Sequence, residues 1–201
     1  MSYHSWLTPS KLSGSGNDIV NVSANASNTG RNSRSTNITF KAANCEDVIR
    51  SVVQAGKPES VSILAAVSVV KTGSTVTIAG TSNSSKLTFS LGSGELQVNL
   101  PSSYIAAGVN TANGAAISGD PGADQEYAFS IQIEVDENTT VSSRSRQLIV
   151  TDNGGHTAIC TITQAAGDAY LTVSPASVEI PWDGSTSAAF TVSSNTNWTI
   201  E

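Results

Sequence analysis

Apolar and polar residues alternate with period two over short runs along most of this 201-residue chain, a pattern that predicts strands and not helices. In the first 56 residues Val20, Val22 and Ala24 face one way and Asn21 and Ser23 the other. Ile38 and Phe40 repeat the alternation, and Val48–Gln54 forms a final strand of that stretch. Turn residues separate these runs at 13–17, at Asn28-Thr29-Gly30 and at Ala43-Asn44. From Val61 to Gly167 the pattern predicts strands at Val67–Lys71, Val76–Ala79, Lys86–Leu91, Glu95–Leu100, Tyr127–Val135, Arg146–Thr151 and His156–Gln164. A third stretch carries the apolar pairs Leu171/Val173, Val178/Ile180, Phe190/Val192 and Trp198/Ile200, with turns at Ser174-Pro175 and Asp183-Gly184.

Between Tyr104 and Gln125 lies a long Gly/Ala/Asn-rich loop, far longer than the hairpins expected in a sandwich. It reads either as a functional loop or as a disordered surface excursion. An internal repeat is also visible. Arg34-Ser35 is followed after twenty residues by Gln54-Ala55, and Arg144-Ser145 after the same interval by Gln164-Ala165. Upstream, the stretch 21–25 sits where 132–136 sits, allowing a one-residue gap. The first 56 residues therefore correspond to the second half of the middle stretch.

The expected architecture is all-β: tandem immunoglobulin-like β-sandwiches, each of ~100 residues and about seven strands. Residues 58–167 form a complete sandwich with a long loop at 103–126. Residues 1–57 supply the second half of another and residues 168–201 the first half of a third. Written end to end, with 168–201 first, the two halves make one domain of about 90 residues. Trp198 and Trp6 then stand nine positions apart. A half-sandwich left alone exposes apolar faces and unpaired strand edges, so the halves are expected to complete each other. Linkers at 56–58 and 166–168 reach little more than ~10 Å each, which favours pairing with a neighbouring subunit. The expected subunit-interface residues are Trp6, Val20, Val22, Phe40, Leu171, Val173, Phe190, Val192 and Trp198.

Composition narrows the function classes. The net charge of −6 argues against nucleic acid or an anionic membrane surface as partner, since either calls for a basic face. No apolar run approaches the ~20 residues of a membrane span. The first residues, Met1-Ser2-Tyr3-His4-Ser5-Trp6, lack the basic and apolar regions of a secretory leader, which leaves a protein used without secretion or a leader already removed. Catalysis finds no constellation: His4 and His156 fall in different domains, outside any nucleophile or metal motif. Asp120 and Asp124 read as solvated loop carboxylates, with no ordered calcium loop around them. No cofactor is expected, because no Gly-rich phosphate loop follows a strand. Cys45 and Cys160 fall in different domains, and Cys160 alternates with Ile162 as a small core residue.

The segment Leu171-Thr172-Val173-Ser174-Pro175-Ala176-Ser177-Val178-Glu179-Ile180, with Val192 to Ile200 around Trp198, resembles the opening of the BACON family of immunoglobulin-like domains. Trp6-Leu7, Ser13 to Gly16, Ile19 to Val22, Asn25, Arg34 and the closing Val52-Val53-Gln54-Ala55-Gly56 resemble that family's second half. The middle stretch is similar at Arg144 and Gln164 and departs in its long loop and in lacking tryptophan. The resemblance places Trp6 and Trp198 in core packing and leaves Trp182 open between core and a stacking platform for sugar. BACON domains are common in gut Bacteroidetes and their phages. The resemblance, the leaderless start and the complementary halves together suggest a structural virion protein. Such a protein would be an auxiliary capsid (decoration) protein of a crAss-like phage of gut Bacteroides, at the capsid surface. It would contact neighbouring copies of itself and the major capsid protein. Trp182, Tyr104, Asp120 and Asp124 are then candidates for contact with a ligand or the shell. The alternative is a carbohydrate- or mucin-binding adhesion module, extracellular or at a bacterial cell surface, cut from a longer tail or surface protein and binding host-surface or mucin glycans.

Overall fold

The computed structural model describes residues 5–201, which form an all-β chain with no helix among them. His4 lies outside the described residues. The centre of the molecule is a two-layer sandwich. One layer orders β10 (Val109–Ala112), β9 (Ser103–Ala106), β11 (Tyr127–Val135), β7 (Ser74–Ser82) and β5 (Val61–Ile63) side by side. The other orders β6 (Ala66–Val69), β13 (Thr157–Gln164), β12 (Arg144–Asp152) and β8 (Leu87–Gly94). The chain changes layers between β5 and β6, where the Leu64 N–H still bonds to the first layer and the Ala65 carbonyl already bonds to the second.

Period-two alternation becomes burial directly: every second residue of β11, from Tyr127 to Val135, is buried. Ile78, Phe129, Ile131 and Ile133 from one layer meet Leu87, Phe89, Leu148, Val150 and Ile162 from the other. Each such side chain removed from water contributes about 1.5–3 kcal/mol. Phe89 stands edge-on to Tyr104 and Phe129, with ring centroids 4.8 and 5.8 Å away. All pairings are antiparallel except β6 on β13, which run parallel. Gly94 lies beside a bulge in the β8–β12 ladder with φ +131°, where a Cβ would fall 2.2 Å from the Ser145 carbonyl oxygen.

Among the described residues, strands of the flanking stretches pair only locally. β1 (Leu7–Pro9) pairs with β2 (Val22–Ala24), β3 (Arg34–Phe40) with β4 (Val48–Gln54), and β14 (Leu171–Ser174) with β15 (Thr191–Ser194), each as a two-stranded sheet.

Three expectations about individual strands change. Glu95–Leu100 forms no strand: Leu96 is fully buried, but its N–H bonds to the Ser145 carbonyl beside the bulge, which interrupts the ladder. The stretch 103–126 is not a plain loop, because β9 and β10 form a hairpin within it and β9 joins β11. Ala107 and Gly108 take positive φ at the hairpin's tip, and Ile117 and Ala123 are buried farther along. The alternating pairs Val178/Ile180 and Trp198/Ile200 lie outside any strand, and among the described residues no strand pairs with them.

Candidate functional site

Antiparallel register places Arg34 opposite Gln54 on β3–β4 and Arg144 opposite Gln164 on β12–β13. In both pairs the guanidinium Nε donates to the glutamine Oε1 at 2.8 Å. Gln54 Nε2 and Arg34 Nη2 then donate to the Ala26 carbonyl, each at 2.9 Å. Gln164 Nε2 donates to the corresponding Asp136 carbonyl at 2.6 Å, and Arg144 Nη2 to Glu137 at 3.0 Å. The loops between repeat too. Asn28 Nδ2 donates to the Asn32 carbonyl and Asn138 Nδ2 to the Ser142 carbonyl, both at 2.8 Å. The following linker is tied to each loop by one backbone bond, Lys57 N–H to Gly30 at 2.8 Å and Gly167 N–H to Thr140 at 2.7 Å. A Cβ on Gly56 would fall 2.0 Å from the Arg31 carbonyl oxygen, and one on Gly167 2.2 Å from that of Asn138.

A second set of contacts recurs where each new stretch opens. Ser82 Oγ donates to the Ser60 carbonyl at 2.7 Å, as Ser194 Oγ does to Tyr170 at 2.9 Å. Asn83 Oδ1 accepts the Ser60 N–H at 2.7 Å, as Asn195 Oδ1 accepts that of Tyr170 at 3.0 Å. The amide ends of these asparagines reach the linker carbonyls of Pro58 and Asp168. One turn also repeats, with Gly73 N–H on the Val70 carbonyl and Gly184 N–H on that of Pro181. Both glycines have positive φ, +76° and +64°, the region where a side chain is strained. Residues 168–196 thus reproduce the junction bonds and one turn of 58–84, although 177–180, the counterpart of β6, forms no strand.

The first junction carries an ionic latch. Arg31 donates from Nη1 and Nη2 to the two carboxylate oxygens of Asp120 at 2.7 and 2.6 Å, and from Nη2 to the Asn83 carbonyl at 2.7 Å. Its Nε lies 2.7 Å from Glu59 Oε1 but is angled too poorly for a hydrogen bond, so that contact is ionic only. Both side chains of the Arg31–Asp120 pair are largely shielded, 22% and 17% exposed, which makes this planar two-pronged contact stronger than a surface ion pair. Burial would raise the Asp120 carboxyl, but the Arg31 hydrogen bond, the Gly122 N–H and the Arg31 charge together hold it below its ordinary value. The Asp120 hydrogen bond in turn raises Arg31. Nearby, Lys57 Nζ donates to the Asp124 carbonyl at 3.0 Å. Arg31, Glu59, Asn83 and Asn195 were not singled out from sequence. The recurring dipeptide Ser82-Asn83 and Ser194-Asn195 was the available signal.

The expected interface residues fall into separate places. Trp6 is buried, with the Arg34 guanidinium 4.9 Å above its ring. Val20 and Val192 are half-buried, and Val22, Phe40, Leu171, Val173, Phe190 and Trp198 are exposed. The N-terminal members do not meet the C-terminal ones in a shared sheet. Of the ligand or shell candidates, Trp182 is 99% exposed. Tyr104 is in the central core with its hydroxyl donating to the Leu87 carbonyl at 3.4 Å. Asp120 is engaged in the latch, and Asp124 is exposed beside Lys57.

Repeat positions expose a difference in burial. Leu148 and Val150 of β12 are fully buried, whereas their counterparts Ile38 and Phe40 on β3 line an open groove of about 540 Å³ with Leu12 and Val20. Phe40 is 43% exposed. Likewise Ile78 is fully buried and its counterpart Phe190 is 50% exposed. A second groove, of about 600 Å³, crosses the outer face of the five-stranded layer and is lined by polar and apolar side chains together, including Ile105, Asn110, Gln132 and Glu134. Among the described residues no group of three or more His, Cys, Asp or Glu is arranged to hold a metal ion.

The family model BACON, described as "Putative binding domain, N-terminal", matches residues 1–55 and 109–165. The chain belongs to the BACON family. The two BACON matches end at Ala55 and Ala165, one residue beyond Gln54 and Gln164, so they cover the two copies of the Arg–Gln repeat. No curated protein matches the chain.

Proposed function

We propose that this BACON chain is a non-catalytic structural module that links copies of itself head to tail. The C-terminal β14–β15 sheet of one copy and the N-terminal β1–β4 strands of the next would close into one sandwich. The observation that carries this reading is the half-exposure of Phe40 and Phe190 at positions whose central counterparts, Val150 and Ile78, are fully buried. Apolar side chains of that size left in water favour association. A neighbouring copy is favoured over the same chain because the two junctions lie at opposite ends of β7. Ser82 is at the first and Gly73, just before Ser74, is at the second. The nine-residue strand between Gly73 and Ser82 separates them by roughly 30 Å at 3.3 Å per residue.

Sedimentation velocity of the chain with and without residues 169–201 tests the reading. Concentration-dependent rings or chains that vanish on truncation are expected, and a monomer at high concentration overturns it. A virion surface, with the linked copies lying on a major capsid protein, is the setting we propose for such an array. Purified chain added to shells stripped of it would then rebind, and failure to cosediment would remove that setting without touching self-association.

One observation favours a second reading, a glycan-binding module: the indole of Trp182 is almost wholly exposed beside the Asp183-Gly184 turn. Exposed indoles stack on sugar faces. A glycan array probed with the chain and with Trp182→Ala separates the readings, since adhesion requires hits that the substitution removes.

A further inference from the structure

We infer that the incoming segment is Ser177–Ile180 of a second copy, added in parallel to the free edge of β4. We further infer that Gln54 is the residue that reads its register. The inference rests on the head-to-tail reading above and specifies its contact surface. In the central sandwich β6 lies parallel on β13, with Thr161 opposite Ala66 and Gln164 opposite Val69. The Ala165 N–H continues the ladder to the Val69 carbonyl at 3.0 Å. Gln164 is fully buried there, and its Nε2 faces the Val70 and Lys71 carbonyls at 3.3 Å in addition to that of Asp136.

β4 repeats β13 down to the Arg–Gln pair, yet among the described residues its far edge carries no strand. Gln54 Nε2 has the Ala26 carbonyl, the counterpart of Asp136, and among the described residues no counterpart of the other two. Those counterparts are identified by the repeated turn, in which Gly184 on Pro181 matches Gly73 on Val70. Pro181 and Trp182 therefore stand for Val70 and Lys71, and Val178 and Ile180 for the inward-facing Val67 and Val69. The segment 177–180 is unpaired, with Ile180 62% exposed. Laying it on β4 in the register of β6 puts Ser177 opposite Ser51 and Ile180 opposite Gln54. Ile180 then enters the core, and Gln54 donates to the Pro181 and Trp182 carbonyls. This is strand addition to a sheet edge, with main-chain bonds supplying affinity and one side chain supplying register.

Trp182 gains a partner by the same superposition. Lys71 Nζ contacts the carboxylate of Asp168 in the linker that follows its domain. The linker counterpart of Asp168 is Pro58, because the two carbonyls take equivalent asparagine bonds. Trp182 of one copy would therefore seat on Lys57-Pro58 of the next, an apolar ring and an ammonium that an indole accommodates.

The test is disulfide trapping between two differently marked chains, both carrying Cys45→Ser. One chain carries Val53→Cys and the other Glu179→Cys, positions that correspond to the outward pair Thr163 and Ser68. Mild oxidation is expected to give a covalent pair within minutes, whereas Val53→Cys with Ser177→Cys, two residues out of register, gives at least tenfold less. Gln54→Ala is expected to weaken association about tenfold while leaving the central melting transition in place. Association with equal or reversed trapping yields overturns the register and leaves head-to-tail linkage standing. No association overturns both. A disulfide that closes within a single monomeric chain carrying Val53→Cys and Glu179→Cys overturns the second copy as occupant.

Discussion

Arg144 and Gln164 face each other across β12 and β13 with Nε and Oε1 2.8 Å apart, and Gln164 is wholly buried with its amide turned to three backbone carbonyls. The arginine fixes which end of the glutamine amide points inward, so the Nε2 donors go to the carbonyls that close the end of the sandwich. Buried carbonyls that lose their donor cost about 1–3 kcal/mol. Gln164→Ala is therefore expected to destabilise the central sandwich by roughly 2–3 kcal/mol. Calorimetry should show that loss in the central transition, and a change below about 0.5 kcal/mol would remove the glutamine from the stability account.

Asp120 gives the first junction a pH dependence of defined sign. Its carboxyl is held below its ordinary value, so the latch contributes fully above the unfolded-state pKa near 3.8 and is lost as pH falls through the lower folded value. Small-angle scattering on a chain titrated downward from pH 6 should show the N-terminal strands loosening from the central sandwich only once pH has fallen below 3.8. Asp120→Asn should show the loosened state already at pH 6, since the neutral amide no longer pairs with Arg31 as an ion. Identical scattering curves for the wild type and the substituted chain at pH 6 would contradict this.

Phe40 is 43% exposed on a face of the N-terminal strands that none of the described residues covers. Phe40→Asp is expected to abolish self-association while leaving the melting transition of the central sandwich within about 0.5 kcal/mol. Sedimentation and calorimetry on the same sample separate a lost interface from a lost fold.

Cys45 is exposed and Cys160 fully buried between the layers, where burial pushes its thiol pKa up. A thiol reagent at neutral pH is expected to modify one cysteine quickly in the folded chain and the second only in denaturant. Two fast equivalents would place Cys160 outside the core.

The sandwich core was legible because alternation converts directly into faces. Tyr127–Val135 and Val48–Gln54 appear as strands with the bounds read from the pattern. Shorter strands were not legible. β9 and β10 lie in a stretch rich in Gly, Ala and Asn, and they become strands because Phe129 and Ser130 of β11 offer them an edge. Glu95–Leu100 has the alternation, but the bulge in the β8–β12 ladder interrupts its pairing beside the Leu96 bond to Ser145. Tyr104 reads as a ligand or shell contact because it opens the long Gly/Ala/Asn-rich stretch, and packing against Phe89 brings it inward.

By itself the sequence determined the strand faces, the twenty-residue spacing of Arg34 to Gln54 and of Arg144 to Gln164, and the correspondence between the chain's flanks and its centre. These are local: a hairpin's register depends on its own turn and on residues a few positions apart. Only the tertiary structure decided that Arg31 meets Asp120, 89 residues away, and that Asn83 and Asn195 clasp the linkers. It also decided that Phe40 and Phe190 remain open while Val150 and Ile78 are closed. Charge pairing and burial between distant segments depend on where two sheets come to rest, and no period along the chain records that position.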